Sequence, residues 1–460
     1  MNRAVVLDKD QKKIVESEAE NIVVVAGAGS GKTAVLTQRI RYLIEQGKAK
    51  PADIVAITFT NMAAEEMKLR LSDIEGIDEM FVGTIHSFAN HLLKDNHKFY
   101  RVLSDDVKSE LVRELIEKYC EYLTVEKFTE YENLVRDYKK GKSIKLEKVN
   151  HFFNSTEQYE YELITRDYNL ERSPECVMSL CRKRNILTFA ELIKKAKKYI
   201  TGENRIKYLF VDEYQDVGNL EDSFIQELNA EHMFLVGDDW QSIYGFNGAN
   251  VEIFKNYINS EKWETYHLDN NYRCASEIIN LANDVIDDIP NRIEKNVVIK
   301  STKKGKAELL VNGKEDLIAQ LDKIKQRKDY QKWFILTRSR ADLNKVLDLC
   351  RTKNIPVLTF AKADYTFNEM NEILNKNIVK VLTVHSAKGL ESENVLLYGN
   401  FSKEFQEPKW TKADDYDSYN RKLEKRYEER RIMYVGVTRA KSKLVVINKT
   451  PEKKSKKRAV

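Results

Sequence analysis

The run Ala26-Gly27-Ala28-Gly29-Ser30-Gly31-Lys32-Thr33 sets small residues, a lysine and a hydroxyl at the spacing that holds a polyphosphate. Small side chains let the backbone curl so that its N–H groups and the start of the next helix face the phosphates. Lys32 then reaches the terminal groups, and the Thr33 hydroxyl a magnesium ion. Further on, Asp212 and Glu213 end the apolar run Tyr208 to Val211. Such a pair suits phosphoryl transfer, with Asp212 in the Mg2+ shell and Glu213 taking a proton from the attacking water. Charge that moves in the transition state needs a fixed cation, and arginine supplies one that does not deprotonate. Arg273, in LDNNYRC, and Arg439, in YVGVTRAK, are the candidates. Singly, an Asp-Glu pair or an arginine reads as ordinary surface. Together with the loop, they point to hydrolysis of ATP or a close relative.

These groups need elements to carry them. Asn21 to Val25 is a short apolar run that feeds the glycine loop, and TAVLTQRIRYLIEQG follows with apolar residues at helical spacing. The same alternation recurs at Ile54 to Thr58, Tyr208 to Val211 and Met233 to Val236, so the expected fold is α/β with a parallel sheet. From His91 to about Ile186 the chain is charged, rich in Lys, Glu and Tyr, and nearly free of Gly and Pro, which predicts a helical insertion. After Tyr266 a second sheet is expected, with NYRCASEIINLANDVI as a helix, strands at Trp333 to Leu336 and Val379 to Val384, and a closing strand at Lys443 to Ile447. The expected divisions are residues 1–95 and 188–266 for the first lobe, 96–187 for the insertion, 267–448 for the second lobe and 449–460 for a basic disordered tail.

Composition excludes other classes. With 77 basic against 72 acidic residues, the net charge of +5 permits a nucleic-acid partner without requiring one. Cys120, Cys176, Cys181, Cys274 and Cys350 form no Cys-x-x-Cys pair and no zinc spacing, so they read as reduced packing residues of a cytoplasmic protein. No apolar run approaches the roughly 20 residues of a membrane-spanning helix, so no membrane partner is expected.

With these pieces in place, the chain resembles the UvrD/Rep/PcrA group of superfamily 1 DNA helicases from Gln11 to Lys441. LDKDQ is similar to the adenine-reading Q motif through Gln11, AGAGSGKT to motif I, ITFTNMAAEEM to motif Ia and GTIHSF to motif Ib. VDEYQD resembles motif II, VGDDWQSIYGFNGA motif III, LDNNYR motif IV, VLTVHSAKGLE motif V and EERRIMYVGVTRAK motif VI. The motif III wording is closest to helicase IV-like members. The resemblance implies two RecA-like P-loop NTPase lobes, the insertion in the first, with ATP and Mg2+ held between them. It also implies that Gln241 senses the terminal phosphate, Tyr272 stacks on adenine, Arg273 and Arg439 contact the terminal phosphate, and Glu391 approaches the ribose. Phe59, Thr60, Asn61, His86, Tyr244, Phe246 and His385 match positions that meet single-stranded DNA, and an aromatic ring grips any base face without regard to sequence.

The chain departs from the pattern in places. Asn247 stands where motif III ends in Arg, Ala34 where relatives carry Arg, and Ser392 where Phe is common. Only about forty residues separate Ile335-Leu336-Thr337-Arg338 from motif V, which leaves no room for the accessory domain called 2B. Two readings follow. One is an ATP-dependent 3′–5′ translocase or helicase on single-stranded or tailed duplex DNA, acting in repair, recombination or defence. The other is the ATPase subunit of a complex with a nuclease or other protein, for example in anti-phage defence, that unwinds poorly alone. An inert binding module is excluded by the presence of Glu213, Gln241, Arg273 and Arg439 together.

Overall fold

The computed structural model describes residues 6–119, 177–200, 206–360, 365–399 and 416–449, with positions 126, 129, 130 and 133. The chain divides into two compact units, residues 1–83, 206–219 and 230–460 forming one and residues 84–205 and 220–229 the other.

In chain order the strands are β1 (Asn21–Ala26), β2 (Ile54–Thr58), β3 (Phe81–Thr84), β4 (Arg101–Val102), β5 (Ile186–Leu187), β6 (Tyr208–Val211), β7 (His232–Gly237) and β8 (Glu264–Leu268). They continue with β9 (Asn270–Asn271), β10 (Val298–Ile299), β11 (Lys306–Leu310), β12 (Trp333–Thr337), β13 (Val357–Leu358), β14 (Val379–Thr383), β15 (Ser392–Gly399) and β16 (Ala440–Asn448). The first unit holds two six-stranded sheets, ordered β3-β2-β6-β7-β1-β8 and β11-β16-β15-β12-β14-β13. The pairings of β2, β6, β7, β1 and β8, and all five in the second sheet, are parallel. Central strands are apolar on both faces because helices cover both sides of a parallel sheet. Val23, Val24, Leu235, Ile335 and Leu396 are accordingly sealed from solvent.

Parallel strands place their C-terminal ends on one edge, and the loops leaving that edge carry the site. β1 runs through the glycine loop into the helix Lys32–Glu45, and β2 into Asn61–Leu71, capped by Thr60. β6 leads to Asp212 and Glu213, and β7 to Asp238 through Gln241. In the second sheet, β14 ends at the short helix Val384–Ala387, and the long helix Tyr416–Val437 delivers Thr438 and Arg439 ahead of β16.

Several expectations shift. β8 pairs with β1 through Leu268, so the first sheet extends past the expected boundary at residue 266. Asn270 and Asn271 pair with β10 and the helix begins only at Ser276, because both asparagine side chains and the Arg273 N–H are tied into loop hydrogen bonds. Val384 opens a helix capped by Thr383 instead of ending a strand. β16 is the closing strand, as expected, and lies between β11 and β15 in the sheet. Between β12 and β14 lie the helix Arg340–Thr352, β13 and the helix Phe367–Asn375.

The second unit is mainly helical where described. Its helices Ile85–Asp95 and Phe189–Ala196 pack together around Phe88, Leu92, Leu192 and Ile193, and the β4–β5 ribbon is parallel. This unit begins before and ends after the expected 96–187 insertion, because the apolar face of Ile85–Asp95 is buried within it. Most of that insertion, the tail 450–460, Cys120 and Cys176 lie outside the described residues, whereas Cys181, Cys274 and Cys350 are buried free thiols.

Candidate functional site

A cavity of about 450 Å³ opens at the ends of both sheets in the first unit. Its floor is the loop after β1, where Gly29 and Gly31 adopt φ +70° and +90°, a region costly for residues with a Cβ. A Cβ on Gly29 would also meet Arg273 Cβ at 2.6 Å, and one on Gly31 would meet Gln11 Nε2 at 2.9 Å. The loop is braced from behind. Ser30 Oγ donates to Gly27 O (2.9 Å), the Tyr272 N–H to Gly29 O (3.0 Å), Asn271 Nδ2 to Ala28 O and Gln11 Nε2 to Ser30 O (3.0 Å). Gln11 Oε1 accepts from the Asp8 N–H, so both ends of this buried amide support the loop. The Tyr272 hydroxyl donates to Asp8, whose carboxylate also accepts from Asn270, which fixes a half-exposed ring beside the loop. Ala26 is buried in β1, whereas Gly27, Lys32, Thr33 and Ala34 line the cavity.

Asp212 and Glu213 differ sharply in their settings. Burial, then the Glu213 charge, raises the Asp212 carboxyl to about 7. Burial opposes ionisation of Glu213 as well, but Lys32 and then Lys388 hold it down to about 2. Glu213 takes left-handed backbone angles (φ 54°), a cost of roughly 1–3 kcal/mol that marks a constrained position at a site. An ionised carboxylate above the phosphate loop is what a proton acceptor for water requires. Among the described residues no cluster of three or more His, Cys, Asp or Glu forms a metal cage. Magnesium needs none, since it binds through one or two protein oxygens plus substrate phosphates. The Thr33 hydroxyl in the cavity and the high carboxyl pKa of Asp212, which a cation would relieve, fit that ion.

The second sheet supplies the opposite wall. Arg439, about 1% exposed, donates to Gln241 Oε1 (3.1 Å), Val435 O (2.8 Å) and Leu390 O (3.2 Å). Burial, followed by the charge of Arg273, lowers its guanidinium to about 10. Arg273 Nε donates to Glu391 (2.6 Å), and Arg273 with Lys441 holds Glu391 down to about 2 against the effect of burial. Lys32, Glu213, Gln241, Arg273, Glu391 and Arg439 therefore border one space.

Other participants were not legible. Asp238 is sealed from solvent and accepts from Gln241 Nε2. It lies 3.8 Å from Lys32 Nζ and pairs with Lys295, which also meets Asp239 at 2.7 Å. Lys388 pairs with Asp216, donates to Gln241 O (2.8 Å), approaches Glu213 (3.9 Å) and sits over the Tyr244 ring (5.0 Å). Met62, Phe367, Met370 and Leu374 give the cavity an apolar side. Only the two adjacent aspartates after β7 could have signalled any of this.

Beyond Lys388 the aromatic candidates form a chain. Phe59 stacks on Tyr244 (5.0 Å between centroids, 22°), Tyr244 lies 6.1 Å from Phe246 and 6.2 Å from His385, and Phe246 meets His385 edge-on at 5.6 Å. Phe246 is 68% exposed and Phe59 39%, so neither is a core aromatic. Thr60 is committed as a helix cap and accepts from the Ala63 N–H, while Asn61 is exposed beside it. Burial, then Arg338, lowers the pKa of His385. His86 belongs to the second unit, where its ring meets Phe189 at 4.7 Å and burial lowers its pKa. Among the departures, Asn247 is exposed in the turn after β7, and Ser392 donates to Lys332 O (2.8 Å).

Comparison with known proteins gives a consistent result. Residues 7–262 match the UvrD/REP helicase N-terminal domain, and residues 266–375 and 364–450 the UvrD-like helicase C-terminal domain. The chain is 27% identical over 477 residues to a probable DNA helicase of Mycoplasma pneumoniae, covering 97% of this chain and 84% of that protein. It is 30% identical over 309 residues to DNA helicase II of Escherichia coli, covering 63% of this chain and 41% of the relative. With the ATP-dependent DNA helicase PcrA of Staphylococcus aureus it shares 26% over 405 residues, 80% of this chain and 53% of that one. The chain thus spans only about half or less of the length of the latter two proteins.

Proposed function

Because the chain belongs to the UvrD/REP helicase family, we propose that it hydrolyses ATP in the 450 Å³ cavity and uses the cycle to move 3′ to 5′ along single-stranded DNA in the cytoplasm. The observation that carries this reading is the hydrogen bond from Arg439, next to the second sheet, to Gln241, which follows a first-sheet strand, at the mouth of the phosphate loop. Lys32 and the loop amides hold the phosphates, with Arg273 and Arg439 placed against the charge that moves in the transition state. Glu213 takes the proton from water. Thr33 and Asp212 would hold Mg2+, which would supply charge screening of the phosphate oxygens. Loss of the terminal phosphate removes the anion that both walls grip, so each turnover lets them separate. Phe59, Tyr244, Phe246 and His385 hold the bases of the strand, with Thr60 and Asn61 assigned to its backbone, and His86 is assigned a DNA contact by the family resemblance alone.

Duplex opening and pathway are a separate matter. The short segment between β12 and β14 favours a motor that translocates well and unwinds poorly alone, as the ATPase partner of a nuclease or another protein in repair or defence. No helix among the described residues is long and apolar enough to cross a membrane. Translocation and strand displacement on tailed DNA test both levels, with Glu213→Gln as the control. That variant keeps nucleotide binding and loses about a hundredfold or more in turnover. Near-normal turnover removes Glu213 from its role, DNA-independent ATPase removes the motor reading, and robust unwinding without a partner removes the accessory one.

A further inference from the structure

Lys295 carries none of the roles assigned above, and its surroundings are unusual for a lysine. Its side chain is 1% exposed, its ammonium pairs with both Asp238 and Asp239, and it lies 4.5 Å from the centroid of the Trp240 ring. The segment that carries it is pinned at the same place. The Ile293 N–H donates to Asp239 (2.9 Å), and Trp240 Nε1 donates to Ile293 O (3.1 Å). A buried ammonium is costly unless carboxylates balance it, and each carboxylate is equally costly without the ammonium.

The two aspartates are not equivalent. Asp238 accepts from Gln241 Nε2 and from the Trp240 N–H, and it is the carboxylate that Lys32 approaches, at 3.8 Å. Asp239 makes no ion pair with Lys32. Two lysines therefore compete for Asp238, one from the phosphate loop and one from the segment before β10. Whatever fraction of its charge Lys295 neutralises is not available to draw Lys32 off the phosphates.

We propose that Lys295 is a positioning residue of the phosphate site: by holding Asp238 it leaves Lys32 free for the nucleotide and keeps Asp238 aligned to orient the Gln241 amide. The inference rests on reading the cavity as the nucleotide site.

A matched pair of double variants tests it in the full chain. Lys295→Met with Asp238→Asn and Lys295→Met with Asp239→Asn each remove one positive and one negative charge from the same buried cluster, and the melting temperature of each shows what the carboxylate left behind costs. They differ in which carboxylate Lys32 then faces. Binding of a fluorescent ATP analogue and the KM and kcat of DNA-stimulated ATPase are measured for both, beside wild type, Lys295→Met and Lys295→Arg, with circular dichroism as the check on folding. The K295M/D239N variant weakens nucleotide binding and raises KM about tenfold or more, because Asp238 captures Lys32, whereas K295M/D238N, with no carboxylate left to capture Lys32, binds the analogue severalfold more tightly than K295M/D239N while its kcat falls as the Gln241 amide loses its acceptor. Lys295→Arg, which still serves both carboxylates, stays close to wild type. Equal KM values in the two double variants overturn the proposal even if Lys295→Met alone does not fold. A wild-type chain that neither binds nor hydrolyses ATP overturns the nucleotide reading instead.

Discussion

Lys388→Met removes one charge that lies near both Glu213, the proposed proton acceptor, and the Tyr244 ring. The ammonium sits between Asp216, Gln241 O, Glu213 and the Tyr244 ring. Taking one partner from a buried ion pair costs about 3–5 kcal/mol when the other stays charged. Asp216 does not have to stay charged. Burial already raises its carboxyl to about 7 with Lys388 present, so without Lys388 it binds a proton near neutral pH and needs no counterion. What remains is the loss of the bond to Gln241 O and of the ring contact, about 1–3 kcal/mol together. The variant therefore folds, with a melting temperature lowered by less than about 10 °C. Glu213 keeps Lys32 and Arg439 nearby and stays ionised, so ATPase without DNA changes little. The effect appears on adding single-stranded DNA. If strand binding at Tyr244 reaches Glu213 through this ammonium, stimulation drops by about tenfold, within the usual 1–3 kcal/mol of coupling between sites. Steady-state ATPase with and without oligonucleotide measures it, and a cycle with Tyr244→Leu yields a coupling energy of about 1 kcal/mol. Full stimulation in the variant, or equal loss of stimulated and basal rates, refutes the reasoning.

The remaining predictions concern pH and the strand. Asp212 and Asp216 have folded pKa values raised to about 7, so each contributes stability that is complete below its unfolded value of 3.8 and is lost as pH rises through about 7. The melting temperature of the nucleotide-free chain therefore falls between pH 6 and 8, by the equivalent of about 1 kcal/mol per unit, and Asp212→Asn flattens the slope. Glu213 and Glu391, both depressed to about 2, act in the opposite sense, so stability is also lost as pH falls below about 4.5. A melting temperature that rises steadily from pH 5 to 8 contradicts the assignment. Phe246→Ala deletes a ring that is 68% exposed, so folding and nucleotide binding are unaffected while single-stranded DNA affinity falls about tenfold to a hundredfold by anisotropy titration. Unchanged affinity removes Phe246 from the track.

How far the sequence could be read depended on how local each signal was. β1, β2, β6 and β12 were legible because strands covered on both faces must be apolar throughout, and the phosphate loop because its glycines are needed in positive φ next to a lysine and a hydroxyl. β9 and β10 were not, since two residues make no periodic pattern and their pairing is fixed by hydrogen bonds of Asn270 and Asn271 to distant loops. The lysines show the harder limit. In a chain with 77 basic residues, Lys295 and Lys388 look like any solvated side chain. Their partners Asp238 and Asp216 lie 57 and 172 residues away, beyond any spacing rule. Both are nonetheless the buried cations that let carboxylates crowd around the phosphate loop. On the function proposed above, a site made of Asp212, Glu213, Asp216, Asp238 and Asp239 alone would repel a polyphosphate. Lys295 and Lys388, with Lys32 and the two arginines, compensate that charge, which on the proposed reading lets carboxylates that would serve metal and water sit a few ångströms from an anionic substrate.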